Sequence, residues 1–362
     1  MRAYHLTVTT LAPLHIGSGQ PPLRKGIDFV AFNRAIYVFD TARVIDYVVG
    51  DDTALLERVT QAVNLASFLK EQDFRERPDL ALYRLSGAPS VSEVRPQIKD
   101  VLDRPYLPGS SLKGAIRTAL VEAALLARNT PLDPRRLGDR DKYAAQELER
   151  DVAGRGERPS QAPNYDLFRT LRVADSAPGE RTWLSLSNVA VWPAGERGIP
   201  LDVETVAAGH PFTTTLTIDD YLFSQHAAQL GFAPKRPLIE GLAATCREHA
   251  RARITAERAF FDRRPEAALV AAFYADLERR LVACGEGSFL LQLGWGAGWR
   301  SKTVARVLER GELLASVVRR YRLDRGRGRG DVFPATRHLV VEQRRPVSPL
   351  GWVRVDIQKV TR

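Results

Sequence analysis

The sequence has few of the residues on which metal-dependent and covalent chemistry usually relies. Among 362 residues there are only two cysteines, Cys246 and Cys284, and six histidines. Two cysteines support neither a disulfide scaffold nor a thiolate metal site, and they fit a reducing compartment. The sequence has no H-x-x-x-H pair, no G-x-S-x-G motif and no close carboxylate cluster suggesting a two-metal site. We therefore expect no metal, no cofactor and no catalytic residues.

Long apolar runs are also missing. The first ten residues alternate Tyr4, Leu6 and Val8 with polar residues, as a strand does, and lack the continuous apolar stretch of a signal peptide. No run reaches the length needed to cross a bilayer. Because 44% of the residues are hydrophobic, the chain can still bury a substantial core. We expect a globular, cytoplasmic protein without a membrane partner.

Lysine is scarce although the chain is basic. Only eight of the 53 basic residues are lysines, and the formal net charge is +10. Arginine binds phosphate bidentately and stacks on bases, so this composition favours a nucleic-acid partner. Codon usage in a GC-rich genome also enriches arginine over lysine, but it explains less of the net positive charge.

The most informative stretch runs from Pro105 to Arg117. Pro108-Gly109 is a turn signal and Ser110 is a candidate helix N-cap. The apolar residues that follow recur at helical spacing, which predicts a helix over 111–128.

The charge at the start of this helix is unusual. The third helical position normally favours Glu or Gln, but here it is Lys113. Arg117 lies four residues further on and shares its face. With the hydroxyls of Ser110 and Ser111 and a close-approach Gly114, these cations favour a bound phosphate. The alternative is an ordinary capped helix whose Lys and Arg are solvated.

A second candidate site is the glycine-rich segment from Gly294 to Lys302, which follows an apolar strand. Its spacing is not G-x-G-x-x-G, because Trp299 takes the third place, and no GK[ST] follows. A nucleotide cofactor is therefore not expected. Its alternate glycines, Gly294, Gly296 and Gly298, let another chain approach closely.

The side chains of this loop can contact RNA. Trp295 and Trp299 can stack on bases, and Arg300 and Lys302 can bind phosphates. The alternative is that the tryptophans pack in the core against the helix at 111–128. We expect core packing for at least one tryptophan and favour Arg300 and Lys302 as the RNA contacts.

Two other stretches are charged and poor in apolar residues. Residues 129–164 are rich in Pro and Gly and predict an insertion that projects from the domain, with a short helix near 142–151. The run from Arg325 to Gly330 alternates Arg and Gly, which is typical of non-specific RNA binding and also of a solvated loop.

The predicted core elements follow the order βαββαβ. They are a strand at 4–11, the helix at 111–128, paired strands between 167 and 219, helices over 236–284 and a strand at 288–293. Outside this core, the pattern predicts a hairpin at 27–39, helices at 41–49 and 53–72 and a strand pair at 82–99. This order, with long insertions, is that of the α+β ferredoxin-like (RRM-like) fold.

Several segments together resemble the RAMP superfamily, whose members build CRISPR effector complexes around a guide RNA. Leu107 to Arg117 matches the superfamily's (I/L)PGSSLKGAIR element nearly letter for letter. The other similar segments, in chain order, are Leu11–Gly19, Leu171–Ser176, Glu204–Val206 with Gly209 and Phe212, Leu293–Trp299, and Phe333–Arg337 with Pro349–Trp352. Within the superfamily, the resemblance is greatest to the subunits that cap the guide at its 3′-end side in type III-A (Csm) complexes.

The resemblance implies a ferredoxin-like RAMP core with insertions and a C-terminal extension. We divide the chain into an N-terminal part of the core (1–128), the charged insertion (129–165), the remainder of the core with the glycine-rich loop (166–310) and an extension that completes the core (311–362). In such proteins, insertions like 129–165 grip RNA or a neighbouring subunit; a solvated linker is the alternative.

The resemblance also implies a non-catalytic subunit that binds crRNA, the guide, mainly through its backbone and shape. Its partners would be the repeating backbone RAMP subunit, the small helical subunit and host nucleases that trim the guide's 3′ end. The expected RNA contacts are Ser110, Ser111, Lys113, Arg117, Arg300, Lys302, and His15, Arg24 and Lys25 of the N-terminal loop. The expected close-approach glycines are Gly109, Gly114, Gly294, Gly296 and Gly298.

Two catalytic alternatives stay open. His15 lies in the loop that matches the superfamily motif, and a histidine there serves as general base in RAMP endoribonucleases that process repeat RNA without metal, but no partner acid is visible. Asp28 invites comparison with the aspartate by which backbone RAMP subunits cleave target RNA. Because Asp28 opens an alternating hairpin, we expect a structural or solvent-facing role for it.

Overall fold

The computed structural model describes residues 1–62, 64–128, 132–154, 163–193, 200–310, 313–324 and 333–360. This part of the chain contains two β-sheets and ten α-helices, together with several short 3₁₀ helices. The strands are β1 (Arg2–Thr10), β2 (Leu23–Arg24), β3 (Phe29–Phe32), β4 (Ala35–Phe39), β5 (Ala81–Ser86), β6 (Glu93–Arg95), β7 (Leu171–Val173), β8 (Leu184–Trp192), β9 (Pro200–Val206), β10 (Pro211–Ile218), β11 (Ser288–Gln292), β12 (Arg337–Glu342), β13 (Arg345–Pro349) and β14 (Trp352–Lys359). The helices are α1 (Thr41–Val49), α2 (Thr53–Gln61), α3 (Glu71–Glu76), α4 (Gly109–Ala127), α5 (Gln146–Ala153), α6 (Arg236–Glu240), α7 (Leu242–Phe261), α8 (Ala268–Val282), α9 (Ala305–Arg310) and α10 (Leu313–Arg320).

The first sheet has five antiparallel strands in the order β11-β14-β1-β10-β7. Strand β1 lies at its centre, and its alternation buries Leu6 and Val8 on one face, as the sequence predicts. Helix α4 follows β1 in the core order and packs against the sheet, and α7 and α8 precede β11.

The predicted fourth strand of the core does not pair with β1, although the predicted fold requires this pairing. Strand β11, the predicted fourth strand, lies at the edge of the sheet, because β14 pairs between it and β1. Since β14 is antiparallel to both neighbours, β11 runs in the same direction as β1. A strand of that direction cannot pair antiparallel with β1, and the C-terminal strand takes this place instead.

The second sheet contains nine strands, with the main order β2-β6-β9-β8-β5-β4-β3 and with β12 pairing to β8 and β13. The predicted hairpin at 27–39 is present as β3 and β4. The predicted strand pair at 82–99 is wrong as a pair. Strand β5 pairs with β4 and β8, whereas β6 pairs with β2 and β9, so the two strands lie apart in the sheet.

The largest apolar core is continuous between the two sheets and helix α4. It contains Leu6 and Val8 of the first sheet, Ile36 and Leu85 of the second, and Ile116 of α4. Each fully buried side chain of this size contributes about 1.5–3 kcal/mol to folding. Within this core, α4 packs against β7 and β11 of the first sheet and against α7.

Residues 132–154, within the described part of the insertion, pack on this core, whereas the sequence predicted an insertion that projects from the domain. Leu148 and Val152 of α5 and Leu137 are all buried in the main apolar cluster. The physical reason is that Leu148 and Val152 lie four residues apart, on one face of a short helix, so a charged segment still presents an apolar stripe.

No helix among the described residues combines the length and the apolar composition that a membrane-spanning helix requires.

Candidate nucleic-acid interface

Helix α4 begins two residues earlier than the sequence predicted, at Gly109 and not at residue 111. Its N-cap is Pro108, not Ser110, which is the second residue of the helix. The amide of Gly109 donates a hydrogen bond of 2.8 Å to Oδ1 of Asp175, which follows β7. The chain therefore places its own carboxylate at the positive end of this helix dipole, a position where we expected an anion from RNA.

The glycines of this helix have different roles. A Cβ on Gly109 would lie 2.2 Å from the carbonyl oxygen of Val173, so this glycine permits close packing on β7 within the chain. Gly114 is exposed, and a Cβ there would meet no atom within 4 Å. Only Gly114 lies on a surface that a second molecule can approach.

The exposed stripe of α4 keeps part of the predicted anion site. Ser110 is exposed, Ser111 and Lys113 are half-buried, and none of the three side chains hydrogen-bonds to a described residue. Partial burial lowers the pKa of Lys113, Asp166 opposes this, and the nearby guanidinium groups of Arg117 and Arg172 add to it. An ammonium in this position would gain from a bound phosphate.

Arg117, in contrast, is committed within the chain. Its guanidinium donates to Asp166 at 2.7 Å and to Glu149 at 2.9 and 3.1 Å, and it lies 4.6 Å from the centre of the Phe168 ring. Burial works against its charged form, but the two carboxylates outweigh it and raise the pKa of Arg117. We therefore omit Arg117 from the proposed RNA contacts, because an RNA phosphate would have to displace two carboxylates.

His15 is also an internal residue. It is 2% exposed, and its Nδ1 lies 2.7 Å from the carbonyl oxygen of Glu204. Burial lowers the pKa of His15 to about 4, to which Arg95 and Lys99 add, so the ring is neutral at pH 7. Neither an RNA contact nor general-base catalysis fits a ring that RNA cannot reach, and His15 is omitted from the interface.

A buried polar network lies beside His15. The Glu204 carboxylate accepts hydrogen bonds from Tyr83 Oη at 2.6 Å, from Lys99 Nζ at 2.5 Å and from the backbone N–H of Gln97 at 2.8 Å. Every member is satisfied by the others except the side-chain nitrogen of Gln97. The network fixes the N-terminal loop against the second sheet.

Arg24 and Lys25 are exposed at strand β2. Arg24 lies 3.9 Å from Asp28, an exposed pairing of little energetic value, and Lys25 has no ion pair with a described residue. Asp28 Oδ2 accepts the amide hydrogen of Arg24 at 2.7 Å, so it closes a turn. This geometry agrees with the expected structural role of Asp28.

The glycine-rich loop approaches its own chain more closely than the sequence suggested. A Cβ on Gly294 would lie 2.2 Å from the carbonyl oxygen of His15, and one on Gly296 would lie 2.8 Å from Leu350. All three glycines have positive φ, and only Gly298 has open space around it. The tight contacts join the loop to the N-terminal segment, and Gly298 is the one that faces outward.

Both tryptophans of this loop pack partly in the core. Trp299 packs against the main core cluster and contacts Phe333, and Trp295 packs with His15 and His338. Core packing was expected for at least one of them. These contacts leave the loop's cations, and not its indole rings, as candidates for RNA contacts.

As on α4, one of the two cations of the loop is ion-paired within the chain and the other is not. Arg300 is 19% exposed and pairs with Glu309 at 2.8 Å. Lys302 has no ion pair with a described residue. The residue is exposed overall, but partial burial of its side chain lowers its pKa. Lys302 lines a cleft together with Arg117 and Thr118 of α4. The structure thus brings Lys302 next to the helix, and we omit Arg300.

Arg95 is a candidate contact that sequence reasoning missed. It is exposed on β6, makes no ion pair with a described residue, and holds its guanidinium 5.2 Å from the centre of the Trp295 ring. It therefore lies where the glycine-rich loop meets the N-terminal loop. No motif singles it out, because its position depends on a ring 200 residues away in sequence.

Within the described ranges, no group of three or more His, Cys, Asp or Glu residues has an arrangement that could hold a metal ion. The Arg-Gly run from Arg325 to Gly330 lies outside the described residues, so its predicted role stays a prediction.

Comparison with known proteins agrees with the resemblance seen in the motifs. The sequence matches the RAMP superfamily over residues 7–301. The chain therefore belongs to the RAMP superfamily, as predicted.

Two individual relatives with the same protein name are similar to this chain. The chain is 30% identical over 205 residues to a protein of Streptococcus thermophilus named CRISPR system Cms protein Csm5, which covers 51% of this chain and 54% of the relative. A Methanocaldococcus jannaschii protein of the same name is 22% identical over 394 residues, covering 96% of this chain and 87% of the relative. The chain thus spans about half the length of the Streptococcus relative.

Solved structures share the fold. A chain in a cryo-EM structure of a Csm–crRNA–target RNA ternary complex of a type III-A CRISPR-Cas system superposes with a TM-score of 0.70 at 24% identity, covering 98% of this chain and 100% of that one. The crystal structure of T. onnurineus Csm5 gives a TM-score of 0.67 at 23% identity, with 96% and 99% coverage. The fold is therefore similar over nearly the whole chain.

Proposed function

We propose that this chain is a guide-RNA-binding capping subunit of a type III-A CRISPR-Cas (Csm) interference complex in the cytoplasm. It would lie at the 3′-end side of the crRNA, without catalytic activity of its own, and support crRNA maturation and antiviral defence. Its partners would be crRNA, the backbone RAMP subunit and the small helical subunit, with host nucleases recruited to trim the guide. The similarity to proteins named Csm5 supports this assignment.

The observation that carries the RNA-binding role is the distribution of unpaired cations. Lys113, Lys302, Arg95 and Lys25 have no ion pair with a described residue, and they lie on or beside the segments that resemble the RAMP motifs. The ionisable groups suited to catalysis, His15 and Glu204, are instead buried and hydrogen-bonded. This arrangement suits phosphate binding independent of base sequence.

We interpret the five-stranded sheet as a ferredoxin-like core with an added strand. The succession β1, α4, β7, β10 supports this interpretation, since β10 lies between β1 and β7. Strand β14 would then occupy the fourth place, and β11 would be the addition.

The first experiment is to tag the full chain in its native host, purify it gently and identify proteins and RNA together. We expect Csm-type subunits and guide RNAs of graded 3′ length. Recovery of the chain alone, or with unprocessed repeat RNA only, would contradict the capping role.

A second experiment tests the cation assignment by RNA binding. We expect Lys113→Ala/Lys302→Ala to weaken binding of unrelated single-stranded RNAs equally, and to lower the slope of log affinity against log salt by about 1.4, since each lost phosphate contact removes about 0.7. The matched control is Arg279→Ala/Arg280→Ala on α8, which removes the same charge from exposed residues paired with Asp276. Equal effects of both variants would sink the assignment.

The alternative function is a metal-independent RAMP endoribonuclease that processes CRISPR repeat RNA. It predicts cleavage at a defined site in the presence of a chelator, abolished by His15→Ala. The buried position of His15 argues against it.

A further inference from the structure

A small cavity beneath the glycine-rich loop has an unbalanced lining. Three arginines face it: Arg253 from α7, Arg300 from the end of the loop and Arg337 from β12. Among the described residues of the lining, Glu257 is the only carboxylate. The free volume is about 30 Å³, room for about two water molecules or one small anion.

Arg253 is the least satisfied of these residues. It is 4% exposed, its Nη2 lies 3.6 Å from Glu257, and its guanidinium makes no hydrogen bond to a described residue. Burial lowers the pKa of Arg253 to about 10, even though Glu257 opposes the shift. Arg247 on the same helix is hydrogen-bonded, as guanidinium groups packed against protein usually are. One of its nitrogens donates to three backbone carbonyls. A buried guanidinium without hydrogen bonds is costly unless something else accepts them.

The single carboxylate cannot satisfy all three cations. Glu257 accepts a 2.6 Å hydrogen bond from Arg337 and lies only within 3.6 and 3.7 Å of Arg253 and Arg300. Arg300 has a second partner in Glu309, and Arg337 also donates to the carbonyl of Pro334. Arg253 has neither.

Groups outside the lining do not remove this excess. Glu122 acts on Arg253 only at longer range and is itself bonded to His249 at 2.9 Å. Counting Glu309, the described residues of the cluster contribute three guanidinium groups and two carboxylates. One negative charge next to Arg253 would balance it.

The cavity wall at Gly298 offers an approach. Gly298 is exposed, has positive φ, and has no atom within 4 Å of the position of a Cβ. We propose that this cavity binds one oxyanion of the phosphate class, held by Arg253 and Arg300. The site does not depend on the proposed function, because its phosphate can come from solution or from a bound RNA.

The test is thermal unfolding of the full chain in inorganic phosphate against chloride at equal ionic strength and pH. We expect a rise of Tm that saturates with phosphate concentration, on top of the unsaturable stabilisation that phosphate gives most proteins. In Arg253→Met the saturable part should vanish, with phosphate affinity at least tenfold weaker. Arg247→Met is the control, which lowers Tm but keeps the phosphate response.

A second variant covers the case in which Arg253→Met does not fold. Arg300→Gln changes a more exposed residue and should weaken phosphate binding several-fold. If the wild-type Tm shows no saturable rise in phosphate, or if Arg300→Gln and a folded Arg253→Met keep the full saturable rise, the cavity holds water only and the proposal is overturned.

Competition with RNA identifies the source of the phosphate. If an RNA phosphate occupies the cavity, saturating inorganic phosphate and Arg300→Gln will both weaken RNA binding. If a free anion occupies it, RNA affinity will be unchanged while the Tm response persists. A chain that binds no RNA but keeps the phosphate response would contradict the proposed function and leave this site intact.

Discussion

The amide of Gly109 donates a 2.8 Å hydrogen bond to the carboxylate of Asp175. This bond joins the start of helix α4 to the segment that follows strand β7, and it gives the helix an internal negative charge at its positive end. The stripe of α4 for which we propose RNA binding therefore begins at Ser110, beyond the capped amide.

Replacing Asp175 tests the importance of this bond. Asp175→Ala should lower the free energy of unfolding by about 1 kcal/mol, because it removes both the acceptor for Gly109 and the charge at the helix start. Asp175→Asn keeps an acceptor and should recover at least half of the loss. Equilibrium urea denaturation measures both, and an alanine variant as stable as wild type would refute the cap.

The two glycines of α4 form a matched pair for mutation. Gly109→Ala should destabilise the chain by more than about 2 kcal/mol, because its Cβ would lie 2.2 Å from the backbone oxygen of Val173. Gly114→Ala should stabilise it by about 0.5–1 kcal/mol, because the site is helical and open. Thermal and urea unfolding distinguish the two signs, and a shared sign would mean that the packing of α4 on β7 is different.

Arg95 should contribute to RNA binding. Arg95→Ala removes an unpaired guanidinium that Trp295 positions, so affinity for single-stranded RNA should fall several-fold and the salt slope by about 0.7. Arg84→Ala is the control, since Arg84 is also exposed and lies 5.9 Å from the Tyr37 ring in the same sheet. Fluorescence anisotropy at several salt concentrations gives both quantities. Arg95 would be excluded if its loss had no greater effect than the control.

His15 should make stability depend on pH. Its pKa is lowered from 6.5 to about 4 in the folded chain, so the unfolded chain binds more protons between these values and stability falls as pH falls through this window. The loss between pH 7 and pH 5 should be about 2 kcal/mol from this group. His15→Asn can still donate a hydrogen bond to Glu204 and cannot titrate, so its stability curve should be flatter by that amount. Parallel urea titrations of the two proteins against pH decide this, with parallel curves counting against a buried neutral His15.

Local pattern was sufficient for much of the fold. The apolar spacing of Leu112, Ile116 and Leu120 predicts α4 because helical periodicity depends only on neighbours within a few turns. The alternation in β1 and the hairpin β3–β4 follow for the same reason. Strand pairing was harder. The positions of β14 beside β1, and of β5 away from β6, depend on strand directions that a local pattern does not encode.

The superfamily motifs are short segments of the sequence, so the family could be predicted correctly from the sequence alone. What the sequence could not separate was which cations are available to RNA. Lys113 and Arg117 look alike in the sequence, but Arg117 is neutralised by Glu149 and Asp166, 32 and 49 residues away. Only the tertiary structure brings these carboxylates to it, because charge pairing depends on distances in space, whereas helical spacing and motif identity are properties of the chain alone.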